Sequence, residues 1–343
     1  DELDSLVEKG LVRVEDAGGR FDLLETIRAF AAEQLEAQGE TTAAHNAHAD
    51  YYVGFAAEVA ADMRGTNQCE AMSRARADHA NTLAAARWLT GGARGGDATA
   101  LEKALQLCGH LNWYWHIAGH HMTGRVLLDE LLALAAEAAP SRGRALAWLA
   151  AGMISTVTGE LERSLGEWQD GYEDGLTVGD EEVTAEGIMG VGYCHLGGGR
   201  MEEAQPVLAE AISRSTGGVS DFVHALSLTL EGMRRFATGD LEGGIATVEQ
   251  ARQIQQRLDD CEGGGVALSF LAQMASAQGD QERALGLYRD ALTLFERVGD
   301  HPEIARVLCE MGWTALAAED AEGAQDSFRH AVHAYELVLS LIH

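Results

Sequence analysis

Apolar and polar positions along this chain keep one rhythm, and it returns every 40 residues. The clearest copy runs from Gln278-Gly279-Asp280-Gln281-Glu282 to Phe295. A glycine opens a turn, an aspartate stands where a helix cap belongs, and an apolar stripe follows at helical spacing. The same register recurs at Thr238-Gly239-Asp240-Leu241-Glu242, at Gly199-Arg200, at Thr158-Gly159-Glu160 and at Gly119, and forward at Glu319-Asp320. Each unit predicts two helices. The first carries a small residue at a fixed place (Gly152, Gly192, Gly232, Ala272, Gly312), with a large apolar residue four positions earlier (Trp148, Ile188, Leu228, Leu268, Leu308). In the second helix a small position (Ser164, Ala204, Gly244, Ala284, Ala324) precedes a bulky one (Trp168, Leu208, Val248, Tyr288, Phe328). A second small position follows three residues later (Gly171, Ala211, Ala251, Ala291, Ala331). Two antiparallel helices approach closely where one offers Gly or Ala and the other fills the space. A helix-interior glycine costs about 1 kcal/mol relative to alanine, so glycine repeated at one register implies a packing reason.

Ahead of the repeat the pattern changes. Leu3, Leu6 and Val7 suggest the end of a helix stopped at Lys9-Gly10. Leu11-Val12-Arg13-Val14 and Arg20-Phe21-Asp22-Leu23-Leu24 have strand composition around a turn at Asp16-Ala17-Gly18-Gly19, and a helix from Glu25 runs to Gly39. Helix, two-stranded wing and helix make the latter part of a winged-helix module, and the start within an element suggests a piece of a longer protein. Acidic residues outnumber basic ones here, which favours a structural connector over a DNA reader. Residues 40–90 predict two or three helices, one carrying Tyr51-Tyr52-Val53 and ending near Arg64-Gly65, another opened by a polar cap at Asp78-His79-Ala80-Asn81. Gly91-Gly92-Ala93-Arg94-Gly95-Gly96-Asp97 reads as a loop; without a preceding strand or a Gly-Lys-Ser/Thr ending it is no phosphate cradle.

Composition narrows the function. The 343 residues carry 25 Lys+Arg against 54 Asp+Glu, a net charge of −29. Such a surface repels phosphate backbones and anionic lipid, and Lys9 and Lys103 are the only lysines. Neither nucleic acid nor membrane is an expected partner. The five cysteines (Cys69, Cys108, Cys194, Cys261, Cys309) are scattered, which reads as reduced, mostly buried thiols in a cytoplasmic protein. No stretch approaches the roughly 18 apolar residues of a membrane helix.

Trp148, Gly152, Gly159, Ser164, Trp168 and Gly171, with their counterparts 40 and 80 residues on, resemble the tetratricopeptide consensus over about 98–338. The period exceeds the 34 residues usual there, which the resemblance explains by longer helices. A broader resemblance rests on Leu6-Val7-Glu8-Lys9-Gly10-Leu11-Val12, Leu24-Glu25-Thr26-Ile27-Arg28-Ala29-Phe30-Ala31, His48-Ala49-Asp50-Tyr51-Tyr52, and Asp78-His79-Ala80-Asn81 through Arg87-Trp88. These look like the region after the ATPase core in large actinobacterial regulators of the SARP-like and LuxR-like type, within the signal-transduction ATPases with numerous domains. The resemblance implies a DNA-binding domain, a P-loop ATPase, a winged helix and a repeat sensor in succession, with only the last part here. Neither lysine sits in a P-loop, so no cofactor is expected in this chain; ATP or ADP belongs to an upstream domain.

The expected architecture is therefore all-α: a tetratricopeptide-like right-handed α-solenoid of about six helix pairs over 98–343, a helical adaptor over 40–97, and a winged-helix remnant over 1–39. A stack of helix pairs presents a concave groove lined by the first helices. The register aims Trp113, Met153, Tyr193, Met233, Gln273 and Trp313 at it, with His116, Thr156, Leu196, Phe236, Ser276 and Leu316 three positions on. From these rows Trp113, His116, Met153, Tyr193, Leu196, Met233, Phe236 and Trp313 are the candidate site for a protein, peptide or apolar small-molecule effector. Core packing between repeats is the competing reading, since an aromatic stripe at helical spacing is usually core.

His110, His116, His120 and His121 crowd the first repeat, but Gly119 separates His116 from His120 and no metalloprotease glutamate accompanies them, so no metal is expected. His45/His48 and His330/His333 lack a further ligand. Asp180-Glu181-Glu182 and Asp259-Asp260 suit helix N-termini better than calcium loops. No nucleophile elbow or Cys/His pair stands in context, so catalysis is not indicated. The function expected is the sensor and interaction arm of an ATP-dependent transcriptional activator. The alternatives are a free-standing repeat scaffold and a metal-dependent enzyme at the histidine-rich first repeat. The apolar tail Val338-Leu339-Ser340-Leu341-Ile342-His343 departs from the polar outer face usual for a capping repeat.

Overall fold

The computed structural model describes residues 2–14 and 20–342, with side chains in the final helix described through 338. By internal contacts the chain divides into residues 1–51 and 52–343. In the first unit, α1 (Glu2–Glu8) leads into the antiparallel pair β1 (Val12–Val14) and β2 (Phe21–Leu23), with Val12 opposite Leu23 and Val14 opposite Phe21. Both strands are shorter than their apolar runs predict. The turn expected at 16–19 lies outside the described residues. Helix α2 (Glu25–Gln38) stops where Gly39 takes a left-handed φ of 73°, which glycine adopts without steric cost. Helix, strand, strand, helix is the order expected for this stretch.

Helix α3 (Thr41–Met63) carries the division between the units, and α4 (Gln68–Ala77) and α5 (His79–Arg94) follow. Two local expectations fail here. Gly91–Arg94 are not loop but the last turn of α5. A Cβ at Gly92 would meet the Ala100 Cβ at 2.9 Å, so the glycine composition serves close helix approach. Only Gly95, Gly96 and Asp97 connect to α6 (Ala98–His110), which Asp97 caps by accepting the N–H groups of Thr99 and Ala100. Asp78 makes no cap bond to α5. Its Oδ1 accepts the Tyr52 hydroxyl at 2.9 Å and the Asn81 side-chain amide at 3.0 Å instead of a backbone N–H.

The repeat begins with α6, α7 (Asn112–Ala118) and α8 (His121–Leu134), the break at Leu111 splitting this unit's first helix. Five pairs follow: α9 (Arg142–Val157) with α10 (Leu161–Val178), α11 (Glu181–Gly197) with α12 (Met201–Ser215), and α13 (Asp221–Ala237) with α14 (Leu241–Leu258). The last two are α15 (Cys261–Ala277) with α16 (Gln281–Val298), and α17 (His301–Ala317) with α18 (Ala321–Ile342). The intra-pair turns carry positive φ at Gly119, Gly159, Gly199, Gly239, Gly279 and Glu319, one per period. Asp240, Asp280 and Asp320 then cap the second helices by accepting N–H groups three residues on. The small and bulky positions meet as their register predicts. A Cβ at Gly152 would meet Trp168 at 2.9 Å, one at Gly192 would meet Leu208 at 2.5 Å, and one at Gly312 would meet Phe328 at 2.5 Å. Ala272 and Tyr288 occupy the same places in the cluster between α15 and α16.

Within the second unit, α4 and α7 reach distant pairs. The Gln68 amide donates to Asp260 Oδ1 at 2.8 Å and accepts the backbone N–H groups of Cys261 and Glu262 at 2.8 and 3.0 Å. Cys69 and Cys261 place their sulfurs 3.4 Å apart, and Arg76 donates to the carbonyls of Val298 and Gly299. Trp113 of α7 packs edge-on against Phe222 of α13, ring centroids 5.0 Å apart. Helices α4 and α7 are thus bound to the α13/α14 and α15/α16 pairs. All five thiols are free, with Cys108, Cys194 and Cys261 buried. No helix among the described residues is long and apolar enough to cross a membrane.

Candidate functional site

The first helices of successive pairs face a cavity of 320 Å³. Helix α7 contributes Trp113 and His116; α9 contributes Met153, Thr156 and Val157; α11 contributes Met189, Gly190 and Tyr193. From α13 come Leu226, Thr229, Leu230 and Met233, from α15 Glu262, Gly263, Val266 and Phe270, and from α17 Glu303 and Arg306. Trp168 of α10 also reaches the wall, held between Gly152 and Gly190, where any Cβ would collide with its indole. Two absent side chains thus bring an aromatic from a second helix to the inner face.

Of the eight residues that the register assigns to the groove, Trp113, His116, Met153, Tyr193 and Met233 line this cavity. Leu196, Phe236 and Trp313 do not. Phe236 packs on the core of Val248, Ala267, Leu271 and Met274. Leu196 is buried outside the cavity wall, and Trp313, 64% exposed, lies edge-on to Phe328. These three stand toward the C-terminal ends of their helices, beyond the part of the stack that the cavity spans. Sequence reasoning missed the rows one and two turns earlier, Leu226/Val266/Arg306 and Gly190/Leu230/Phe270, which continue the Tyr193/Met233 row along one helical face. Their i, i+3/i+4, i+7 spacing was the available signal.

Packing and binding surfaces overlap. Trp113 is 7% exposed and donates its indole N–H to Glu186 Oε1 at 3.1 Å. The other Glu186 oxygen accepts from Arg64 at 2.6 Å, joining the residue just past α3 to α11. Burial pushes the Glu186 carboxyl up, against the pull of Arg64. Tyr193, by contrast, keeps 41% of its surface accessible while lining the cavity.

One end is polar. Glu262 stands in the first turn of α15, and Asp300 caps α17 by accepting the Glu303 N–H at 2.9 Å. One ligating atom each from His116, Glu262 and Asp300 lies within 4.8 Å of the others. Burial pushes both carboxyls up, and each is raised further by neighbouring negative charge, Glu303 for Glu262 and Glu262 for Asp300. Arg306 pairs with Glu303 at 2.5 Å; burial opposes its charge, but that pairing holds the guanidinium above its ordinary value. Of the other first-repeat histidines, His121 stays beside His116, its Nε2 3.3 Å from the His116 carbonyl oxygen, while His110 and His120 find other partners. His120 stacks on His79 with centroids 4.0 Å apart, and the Tyr114 hydroxyl lies 3.1 Å from His79 Nδ1. Burial first, then nearby cationic groups, lowers His110 and His120 to about 4. Asp180 and Asp260 cap α11 and α15, as their placement at helix starts predicts.

Comparison with known proteins agrees with the helical-repeat fold. A tetratricopeptide repeat family model matches residues 225–297. Provisionally named HTH-type transcriptional regulators of Mycobacterium tuberculosis and Mycobacterium bovis are 27% identical over 274 residues, covering 76% of this chain and 29% of each relative. The chain therefore spans less than a third of the curated relatives it matches. Among solved structures, the apo form of RapI is similar with a TM-score of 0.61 at 12% identity, covering 80% of this chain and 97% of that one. A signal transduction ATPase with numerous domains carrying a tetratricopeptide repeat sensor, from Pyrococcus horikoshii, gives 0.56 at 13% identity, covering 98% of this chain and 46% of that one. A Rap protein complexed with competence and sporulation factor gives 0.55 at 9% identity, covering 85% of this chain and 99% of that one. The fold is a tetratricopeptide-like α-solenoid.

Proposed function

We propose that this chain is the sensor and interaction arm of an ATP-dependent transcriptional regulator, and that the cavity between the first helices is its effector site. The observation that carries this reading is the half-open apolar cavity that α7 borders on one side, where Trp113 packs on Phe222 beside a row of groove residues. At 320 Å³ it sits at the lower end of small-ligand sites, about 300–1,000 Å³. Its occupant is accordingly a small apolar molecule, or one or two apolar side chains of a peptide, rather than a folded partner. The regulator context draws on the mycobacterial relatives and on the solenoid of the Pyrococcus sensor ATPase. The Rap protein complex gives the precedent of a factor bound to a similar fold.

An occupant bridging α9, α11 and α13 would bias the pitch of the stack, and that shift is what an attached ATPase domain would read. The nucleotide and DNA chemistry belongs to other parts of such a regulator. With a net charge of −29, this chain makes no nucleic-acid or membrane contact of its own in this reading.

Native mass spectrometry of the purified chain, before and after incubation with extract of the producing cell, tests the proposal. A reproducible small mass held by wild type and lost in Tyr193→Ala and Met233→Ala supports an effector site. Capture of a protein, unaffected by either variant, moves the chain to the scaffold class. A bare spectrum removes the effector reading and leaves the cavity as a packing defect.

A further inference from the structure

The polar end of the cavity brings together more buried carboxyl oxygens than its own residues pair. Glu262 is 4% exposed at its side chain, yet its Oε2 has no hydrogen-bond partner, and the side chain lines the cavity. His116 Nδ1 is likewise buried without a partner, and its Nε2 lies 3.8 Å from Glu262 Oε1. Asp300, 1% exposed, completes the group from the start of α17. The guanidinium that lines this end, Arg306, is engaged by Glu303. A buried carboxylate oxygen without a partner is costly, and the one on Glu262, facing a second buried carboxyl and an imidazole, asks for a cation.

We propose that His116, Glu262 and Asp300 form a binding site for a divalent transition-metal ion, with a coordination position left open toward the cavity. One imidazole nitrogen and two carboxylates suit a borderline ion such as zinc or manganese, and their combined charge balances it. Metal–ligand bonds of about 2.0–2.2 Å put donor atoms roughly 3.3 Å apart in a tetrahedron, a contraction from the present spread that side-chain rotation supplies. The backbone frame is in place. Asp300 is oriented by the Glu303 N–H, the kind of outer contact that fixes a metal ligand. Glu262 is positioned where Gln68 secures the first turn of α15. The open position lets an effector carrying a donor group coordinate the ion while its apolar body meets Met153, Tyr193 and Met233. Metal binding does not require the regulator reading, since the three ligands stand whether or not an effector is found.

The test uses the whole chain, stripped with a chelator and titrated with zinc or manganese chloride by calorimetry, with metal content after dialysis and thermal melting as parallel readouts. The expected result is one ion per chain and a melting temperature that rises with metal. Glu262→Gln and Asp300→Asn each lower affinity about tenfold or more, and the double variant binds none. Both variants are expected to melt at or above metal-free wild type, because each relieves the opposition of two buried carboxyls and asparagine still caps a helix. Lost binding in a variant that stable is not a folding defect. Absence of a stoichiometric ion in wild type overturns the site. So does equal binding by the double variant, which would place the ion on the acidic surface.

Discussion

Gln68 and Cys261, 193 positions apart, are joined by a hydrogen bond of 2.8 Å from the Cys261 backbone N–H to the Gln68 side-chain oxygen. The same oxygen accepts the Glu262 N–H, and the amide nitrogen donates to Asp260. One buried side chain from α4 thereby satisfies the first turn of a helix deep in the repeat. Gln68→Ala strands two backbone donors and is expected to cost about 2–3 kcal/mol in urea unfolding. A wild-type midpoint would show that water replaces the amide and that the α4 contact carries little stability.

The glycines divide by what lies beside them, and alanine substitution should separate them by sign. A Cβ at Gly190 would collide with the Trp168 indole, so Gly190→Ala forces the ring to move, with a cost of about 1–3 kcal/mol and a shift in tryptophan emission. Nothing lies within 4 Å of a Cβ at Gly166 or Gly286, both inside helices, so alanine there adds about 0.5–1 kcal/mol of stability. Equal effects at the two kinds of site would refute the packing argument.

Glu319 is the exception in the turn register. It holds a φ of 61° where each earlier repeat has glycine. Glu319→Gly is expected to raise stability by roughly 1 kcal/mol, seen as a higher melting temperature, because the left-handed conformation strains a residue with a Cβ. Gly279→Ala should lower it by a similar amount. An unchanged or lower melting temperature for Glu319→Gly would show that its side chain makes a compensating contact.

His120 gives a pH dependence with a defined sign. Burial and its neighbours His79, His121 and Arg76 hold its pKa at about 4 in the folded chain, below the ordinary 6.5, with Tyr114 against the same ring. Between these values the unfolded chain binds the proton and the folded chain does not. Its contribution is therefore present above pH 6.5 and lost as pH falls toward 4, by less than the limiting slope of about 1.4 kcal/mol per pH unit because the ring is only partly buried. The raised carboxyls of Asp260, Glu262 and Asp300 act in the opposite direction, so the readout is a difference. Urea midpoints from pH 7 to 4.5 should fall less steeply in His120→Gln than in wild type; parallel curves would mean the imidazole is charged in the fold.

Trp113 and Tyr193 separate packing from recognition on one wall. Trp113→Ala removes a buried indole and leaves Glu186 one donor short, for an expected loss of about 3–5 kcal/mol by denaturant unfolding. Tyr193→Ala, at a half-open position, is expected to cost under about 1.5 kcal/mol while abolishing retention of any effector. A large destabilisation at Tyr193 would make this row core throughout.

The sequence by itself determined the repeat and its internal packing. A 40-residue period, glycine at the turn, aspartate at the cap and the Gly152–Trp168 type of pairing all depend on residues within one unit, where helical spacing fixes neighbours. It also placed Tyr193 and Met233 on the inner face, because every first helix shares that register. Residue type misled where a partner outside the helix overrode it, as when Gly92 met Ala100 and Asp78 turned to Tyr52. Tertiary structure alone decided how far the stack coils before α4 and α7 meet α13 and α15, since small rotations accumulate over pairs and no single repeat encodes their sum. That coiling narrows the groove to a half-open cavity, buries Trp113 and brings His116 to Glu262 and Asp300, three residues from separate repeats that no local pattern connects.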